Sequence, residues 1–288
     1  MIKIYNTDIL TDKFEEINEY REGSWINMIN PSEDEIRTVC SNLNIQEDFI
    51  RYSLDSEEKA RIDYEEDDDT VLFIMDVPIK ETEENHEIYT TMPFGMIVVR
   101  DDYIITVSLK KLDIFKDFRD NKVKGFSTYK KSRFILQTMF KNSSSYLTYL
   151  KLINRETEVA ENRLKNSMKN RELLKLLDLE KSLVYFITSL RANEAVMERT
   201  IKIKNIKLYE DDEDILEDAI IENKQAIEMS KIYKDILDST MDAYSSIISN
   251  NLNEVMKLLT SITIIISIPT LIASLWGMNV IKYTKDFS

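Results

Sequence analysis

Apolar and polar positions divide the chain near residue 129. Before it, short apolar runs rich in β-branched residues alternate with turn and acidic clusters. Val71 to Ile79, Met92 to Val99 and Tyr103 to Leu109 read as strands, the last two joined through Arg100-Asp101-Asp102 as a hairpin. Asn30-Pro31-Ser32 leading into Glu33 to Leu43 reads as a capped helix, with Ser32 as N-cap and Glu35 closing a capping box. Residues 1–128 are therefore expected to form an α/β domain, a small mixed sheet flanked by helices.

Beyond Tyr129 the pattern becomes helical, and neither Gly nor Pro occurs again until Pro269. Helices are expected from about Lys130 to Met168 and from about Arg171 to Lys204, where Leu173, Leu176, Leu177, Leu183 and Leu190 recur at helical intervals. An acidic link, Tyr209 to Asp214, leads into a third helix running from about Glu213 to Trp276. Some 60 residues make a rod about 95 Å long. A rod of that length cannot bury its stripe alone and calls for coiled-coil neighbours, either the two preceding helices or copies of itself, so oligomerisation is expected.

Within that rod, Leu258 to Trp276 run nineteen positions without a charge. At 1.5 Å per residue they span roughly 28 Å, the thickness of a bilayer's hydrocarbon core. The span is far from the N-terminus and is not a signal peptide. The polar region before it places residues 1–257 in the cytoplasm, with residues 129–257 as a helical stalk that includes the cytoplasmic part of the long helix. Lys257 on one side and Lys282 and Lys285 on the other leave the positive-inside rule with little to say about orientation.

Small or polar residues keep to one face of the span. Asn253, Thr260, Ser267 and Ser274 are seven apart, as are Met256, Thr263, Thr270 and Gly277, and together they step 3, 4, 3, 4. Of six hydroxyl residues between Leu258 and Trp276, only Ser261 is off this face. Two readings are open at this point: a seam where membrane helices pack closely, or the lining of a wet axis shared by several copies. Pro269 frees the carbonyl of Ile265, as a tolerated kink or as a hinge.

Composition narrows the chemistry. With 38 Lys+Arg against 52 Asp+Glu the net charge is −14, which disfavours nucleic acid and favours cations as partners. One Cys, Cys40, and one His, His86, cannot supply a structural zinc centre, and one Cys cannot form an internal disulfide. No Gly-rich phosphate loop or His-centred nucleophile is visible, so an enzyme is not expected. The acidic runs Glu65 to Asp69 and Asp211 to Asp214 read as solvated turns rather than as collectors of divalent ions.

After the span comes Trp276-Gly277-Met278-Asn279, and before it Ser249 to Thr263, SNNLNEVMKLLTSIT. The Gly-Met-Asn tripeptide at the outer end of a membrane helix, joined to the upstream Asn-x-x-Met-Lys-x-Leu-Thr pattern, resembles the CorA-type magnesium transporter family. That resemblance implies a funnel-shaped homopentamer in the cell (plasma or inner) membrane, with a cytoplasmic α/β domain, stalk helices and a long pore helix. Residues 258–279 would be the first transmembrane helix and residues 280–288 the start of an external loop. The family's second transmembrane helix is absent from this chain, for which truncation is the expected cause.

The implied function is a channel for Mg²⁺, with Co²⁺ or Ni²⁺ leaking through, and Mg²⁺ serves as cargo and as regulator. Gly277, Met278 and Asn279 would form the selectivity filter, the Asn279 ring hydrogen-bonding the ion's water shell. Thr263, Ser267, Thr270 and Ser274 would line the passage, with Met256 and Leu259 as an apolar constriction above Asn253. By the same resemblance Asp218 is the regulatory metal ligand. Its usual acidic partners are replaced by Arg51 and Tyr52, leaving Asp55 or Glu58 as substitutes. Two alternatives stand beside this: a zinc-transporting relative of the same superfamily, and a membrane-anchored coiled-coil scaffold or sensor without transport.

Overall fold

The computed structural model describes residues 1–65, 69–83, 86–100, 102–166, 170–201 and 210–277. It divides into two compact units, Met1–Leu237 and Asp238–Ser288. The first is built on a seven-stranded mixed sheet. Its strands are β1 (Ile2–Thr7), β2 (Phe14–Ile17), β3 (Ser24–Ile29), β4 (Arg61–Glu65), β5 (Thr70–Glu83), β6 (His86–Val99) and β7 (Tyr103–Ser108), in the spatial order β2-β1-β3-β7-β6-β5-β4. Only the β3–β7 pair is parallel; every other neighbour is antiparallel.

The central strands are apolar without interruption because both faces are covered, and successive side chains go to opposite cores. On β5, Leu72 and Ile74 face Ile36, Val39, Leu43 and Ile50 of helices α1 (Glu33–Leu43) and α2 (Glu47–Tyr52). Val71, Phe73 and Met75 face the other way. There they meet a short 3₁₀ turn (Asp113–Phe115), helix α3 (Lys116–Arg119) and the long helices α4 (Lys131–Asn166), α5 (Asn170–Thr200) and α6 (Glu210–Gly277). Trp25 centres this second core, its ring 4.9 Å from Phe134 and 5.8 Å from Phe115, its indole N–H donating to Thr106 Oγ1 at 2.8 Å.

The expected α/β domain and long helices are present, and Ser32 and Glu35 form the capping box. Three expectations need correction. β6 and β7 pair as the expected hairpin, but β5 and β6 run longer than their apolar runs suggest, because these 14-residue strands continue pairing through polar positions from Lys80–Tyr89 to Glu83–His86. The strands β1, β2, β3 and β4 are not marked by apolar runs; β2, Phe-Glu-Glu-Ile, is an edge strand whose two glutamates are exposed. Residues Asp211 to Asp214 are neither link nor solvated turn. They form the first turns of α6, where acidic groups meet the positive end of the helix dipole, and Asp212 is buried against Arg133, Nε to Oδ1 2.7 Å.

One junction ties the sheet to the helices. β4 pairs with β5 only as far as Arg61–Ile74, so the backbone of Asp76, two residues on, lies beyond the end of that ladder. The Asp76 carbonyl instead accepts from Asn142 Nδ2 at 2.8 Å, Tyr146 Oη at 3.1 Å and Asn193 Nδ2 at 2.8 Å, while its N–H donates to Asn193 Oδ1 at 2.9 Å. Asn142, Tyr146 and Asn193 are fully buried. Helices α4 and α5 thus satisfy backbone groups that the neighbouring strand leaves open.

Replacing Asn193 by Ala strands the Asp76 N–H and should cost about 2 kcal/mol in urea unfolding of the chain. The Asp76 carboxyl is pushed up to about 6 by burial, against a lowering hydrogen bond from Ser189. A folded-state value above the ordinary 3.8 means the stability linked to its proton is complete below that value and lost as pH rises through about 6. Asp76→Asn should therefore stabilise the fold above about pH 7, by on the order of 3 kcal/mol at most, and give no gain below about pH 4. Parallel denaturation curves at the two pH values check this.

Candidate functional site

Helix α6 passes from one kind of environment to another. Its early residues Leu216 and Ala219 are buried with the α4 and α5 side chains in the second core. The hydroxyl of Ser143 on α4 reaches the Ala219 carbonyl at 3.2 Å, and Asn223 Nδ2 donates to the Leu190 carbonyl of α5 at 2.9 Å. In the second unit the opposite holds. From Ser245 to Gly277 every residue is exposed, Ile265 at 67% and Leu271 at 63%. Residues 258–276 carry no charge, and α6 is long and apolar enough to cross a membrane. Burying one such Leu or Ile is worth about 1.5–3 kcal/mol, so the segment demands cover by lipid, by further copies of itself, or by both.

The hydroxyls of this segment are already committed. Thr260, Ser261, Thr263, Ser267 and Thr270 donate to the carbonyls four residues back, Met256, Lys257, Leu259, Thr263 and Ile266, at 2.7 to 2.9 Å. With the proton spent inside the helix, what each oxygen offers outward is lone pairs. Thr260, Thr263, Ser267 and Thr270 share the face that also carries Asn253, Met256, Ser274 and Gly277, and on it these four hydroxyl oxygens form a row of uncharged acceptors. Such a surface suits the outward-pointing hydrogens of a hydrated cation. Ser261 makes the same bond off the face, so the back-bond supplies the chemistry and the 3, 4 spacing supplies the alignment.

Gly277 is the last described residue of α6, and a Cβ added there would meet nothing within 4 Å. Among the described residues nothing approaches Gly277 closely. Met278 and Asn279 lie outside the described residues. The helix continues through Pro269, with no interruption from Glu210 to Gly277.

The candidate regulatory residues lie in the first unit. Asp218 lines a groove of about 410 Å³ with Lys122, Lys124, Phe140, Lys141 and Ile215. Asp55 and Glu58 lie in the turn between α2 and β4. There Asp55 Oδ1 accepts from the Glu57 N–H at 3.0 Å and Glu58 is ion-paired with Arg61. α2 packs on one face of the sheet through Phe49 and Ile50, and the start of α6 packs on the other. Among the described residues no three His, Cys, Asp or Glu side chains converge to hold a metal, at Asp218 or around Asp55 and Glu58. Arg51 is held on its own chain, to Glu33 at 2.6 Å and Glu47 at 2.8 Å, and Arg61 lies over the Tyr52 ring at 4.9 Å. The lysines around Asp218 were not singled out by the sequence, since positions 122, 124 and 141 become neighbours only when α4 packs beside the loop that precedes it.

A family model described as CorA-like Mg²⁺ transporter protein matches residues 21–286. The cobalt/magnesium transport protein CorA of Methanocaldococcus jannaschii is 28% identical over 283 residues, covering 94% of this chain and 84% of that protein. The magnesium transport protein CorA of Helicobacter pylori is 21% identical over 281 residues, 94% of this chain and 85% of that one. The complete structure of the Methanocaldococcus jannaschii CorA magnesium transporter superposes with a TM-score of 0.80 at 25% identity, over 97% of this chain and 87% of that chain. The cytoplasmic domain of ZntB from Vibrio parahaemolyticus shares the fold, with a TM-score of 0.67 at 12% identity over 86% of this chain and 98% of that one.

Proposed function

Because the chain belongs to the CorA-like Mg²⁺ transporter family and is a divalent cation transporter, we propose that copies of α6 surround a water-filled axis and pass hydrated Mg²⁺ along their hydroxyl-bearing faces. The observation that carries this reading is the fully exposed, uncharged segment 258–277, whose hydroxyl face has its protons bonded inward. In this reading residues 1–257 are cytoplasmic and residues 258–279 form the first membrane helix of a homopentamer in the cell membrane. Co²⁺ shares the path, in keeping with the cobalt/magnesium name of the Methanocaldococcus jannaschii relative.

Mg²⁺ is small and gives up its water reluctantly, so a selective mouth gains by binding the hydrated ion. Asn279 side-chain carbonyls in a ring accept hydrogen bonds from that water without fixing a negative charge that would trap the ion. Gly277 lets neighbouring helices approach at the mouth, and Met278 packs behind the ring. Thr263, Ser267, Thr270 and Ser274 line the passage. Met256 and Leu259 form the apolar constriction that stops flow by dewetting, with Asn253 below it.

Regulation by intracellular Mg²⁺ centres on Asp218. A symmetric assembly brings the α2–β4 turn of one copy, with Asp55 and Glu58, to the Asp218 face of the next. Arg51 and Tyr52, where the family pattern has acidic residues, leave the metal fewer carboxylates and a correspondingly weaker hold.

Two measurements test this reading. Mg²⁺ uptake into proteoliposomes should fall about tenfold or more in Asn279→Ala, equivalent to about 1.4 kcal/mol of lost ion stabilisation; equal uptake rejects the ring. Ser267→Cys should react with a charged, water-soluble thiol reagent whereas Ile265→Cys, on the opposite face, should not. The native Cys40 is buried and its thiol is pushed up to about 11 by that burial, so it stays silent as background. Matching rates at 265 and 267 would point to a packing seam and a scaffold rather than a conduit.

A further inference from the structure

One turn of α5 carries two joints. On one side it engages Asp76 of β5, Asn193 through both its amide atoms at 2.8 and 2.9 Å and Ser189 through a hydrogen bond to the Asp76 carboxyl. On the other side the carbonyl of Leu190, next to Ser189, accepts from Asn223 of α6 at 2.9 Å. The short stretch from Ser189 to Asn193 thus ties the sheet to α6, the helix that continues to Gly277.

This joint holds an ionisable group with no counter-charge. From α4 Asp76 is faced by Asn142 and Tyr146, from α5 by Ser189 and Asn193, and from β6 by Pro93. Of these only Tyr146 titrates, and burial together with the Asp76 charge holds its hydroxyl well above the ordinary tyrosine range. Among the described residues no Lys, Arg, His or second carboxylate acts on the Asp76 carboxyl; burial raises its proton affinity and Ser189 lowers it.

Ser189 Oγ has one proton and two partners, the Asp76 carboxyl and Thr91 Oγ1 at 2.9 Å. With Asp76 neutral, its O–H donates to Ser189 and the Ser189 proton goes to Thr91; with Asp76 charged, the chain of donors runs the other way. The surroundings are short of donors, since Oδ1 of the fully buried Asn142 has no hydrogen-bond partner among the described residues. A carboxylate adds acceptors to such a place, whereas a neutral carboxyl adds a donor. The neutral form therefore suits the joint and the charged form weakens it.

We propose that this joint is a proton-sensitive catch on α6. It holds the start of the helix to the sheet while Asp76 carries its proton and loosens when the carboxyl is charged, so that transport slows as the compartment bathing the α/β unit becomes acid. An arrangement that returns Asp76 to water gives up the catch and restores an ordinary carboxylate, and protons favour the held arrangement over it. The catch reaches transport through the reading of α6 as the pore helix, and it needs no metal at Asp218.

The test is Mg²⁺ uptake into proteoliposomes holding the full chain, buffered on both sides at about pH 7.5 or about pH 5.5. Amide hydrogen exchange of the same protein in detergent, corrected for the intrinsic pH dependence of exchange, runs beside it. With the carboxyl titrating at about 6 when held and at the ordinary 3.8 in water, the held-to-released ratio rises about fourfold between these conditions. Uptake should fall by up to that factor, and exchange around Asp76 and Ser189 to Asn193 should slow with it. Asp76→Asn, which keeps the size and removes the charge, should hold uptake low at both pH values. Ser189→Ala should move the midpoint of both readouts to higher pH, a shift that a merely structural role would not produce. A pH response kept in Asp76→Asn, or exchange that follows pH while uptake by the parent does not, overturns the catch. Asn279→Ala should lose uptake and keep the exchange response, so a failed pore and a failed catch give different results.

Discussion

A single unbroken helix has to satisfy two solvents, and that constraint governs the molecule. At one end α6 packs Leu216 and Ala219 into a protein core. At the other it carries more than thirty consecutive exposed residues, nineteen of them an uncharged run. Helical backbone is what permits this, since its N–H and C=O groups stay paired whatever surrounds the side chains. The side chains alone then decide the surroundings: aliphatic positions call for hydrocarbon, and the hydroxyl stripe calls for water or a neighbouring helix.

The α/β unit holds the start of that helix. Both faces of the sheet are covered, and α4, α5 and α6 form the layer on one of them. Asn223 links α6 to α5, and Asn193 links α5 to the sheet at Asp76. Each link is a fully buried amide bonding backbone, an interaction whose loss strands a polar group in a dry interior. A displacement of α6 against the sheet would have to break such bonds or carry α5 along.

Much of this was legible in the sequence because the strongest signals are long-period ones. The three helices were readable since neither Gly nor Pro occurs between Lys130 and Pro269, and the Ser32 capping box because its spacing is local. The membrane segment announced itself by length, and the Gly277-Met278-Asn279 signature by resemblance to one family. Strands β1 to β4 were illegible because their identity lies in their partners; Trp25 and Ile26 are wholly buried because Phe115 and Phe134 cover one face of β3 and the α1–α2 core covers the other. The acidic run at 211–214 misled because a charge cluster looks the same in a turn and at a helix start, and only Arg133, some eighty positions earlier, marks the difference. The lysine groove was hidden for the same reason: its walls come from segments far apart in sequence.

The sealing of the Asp76 backbone by side-chain amides has a consequence for biosynthesis. Asp76 and Asn193 are 117 residues apart. At about 5–20 residues per second, the ribosome emits the second roughly 6–23 s after the first. Throughout that interval the nascent sheet holds an unsealed backbone position, which closes only when α5 arrives. Completion of the amino-terminal layer is thereby timed by translation of a helix much later in the message.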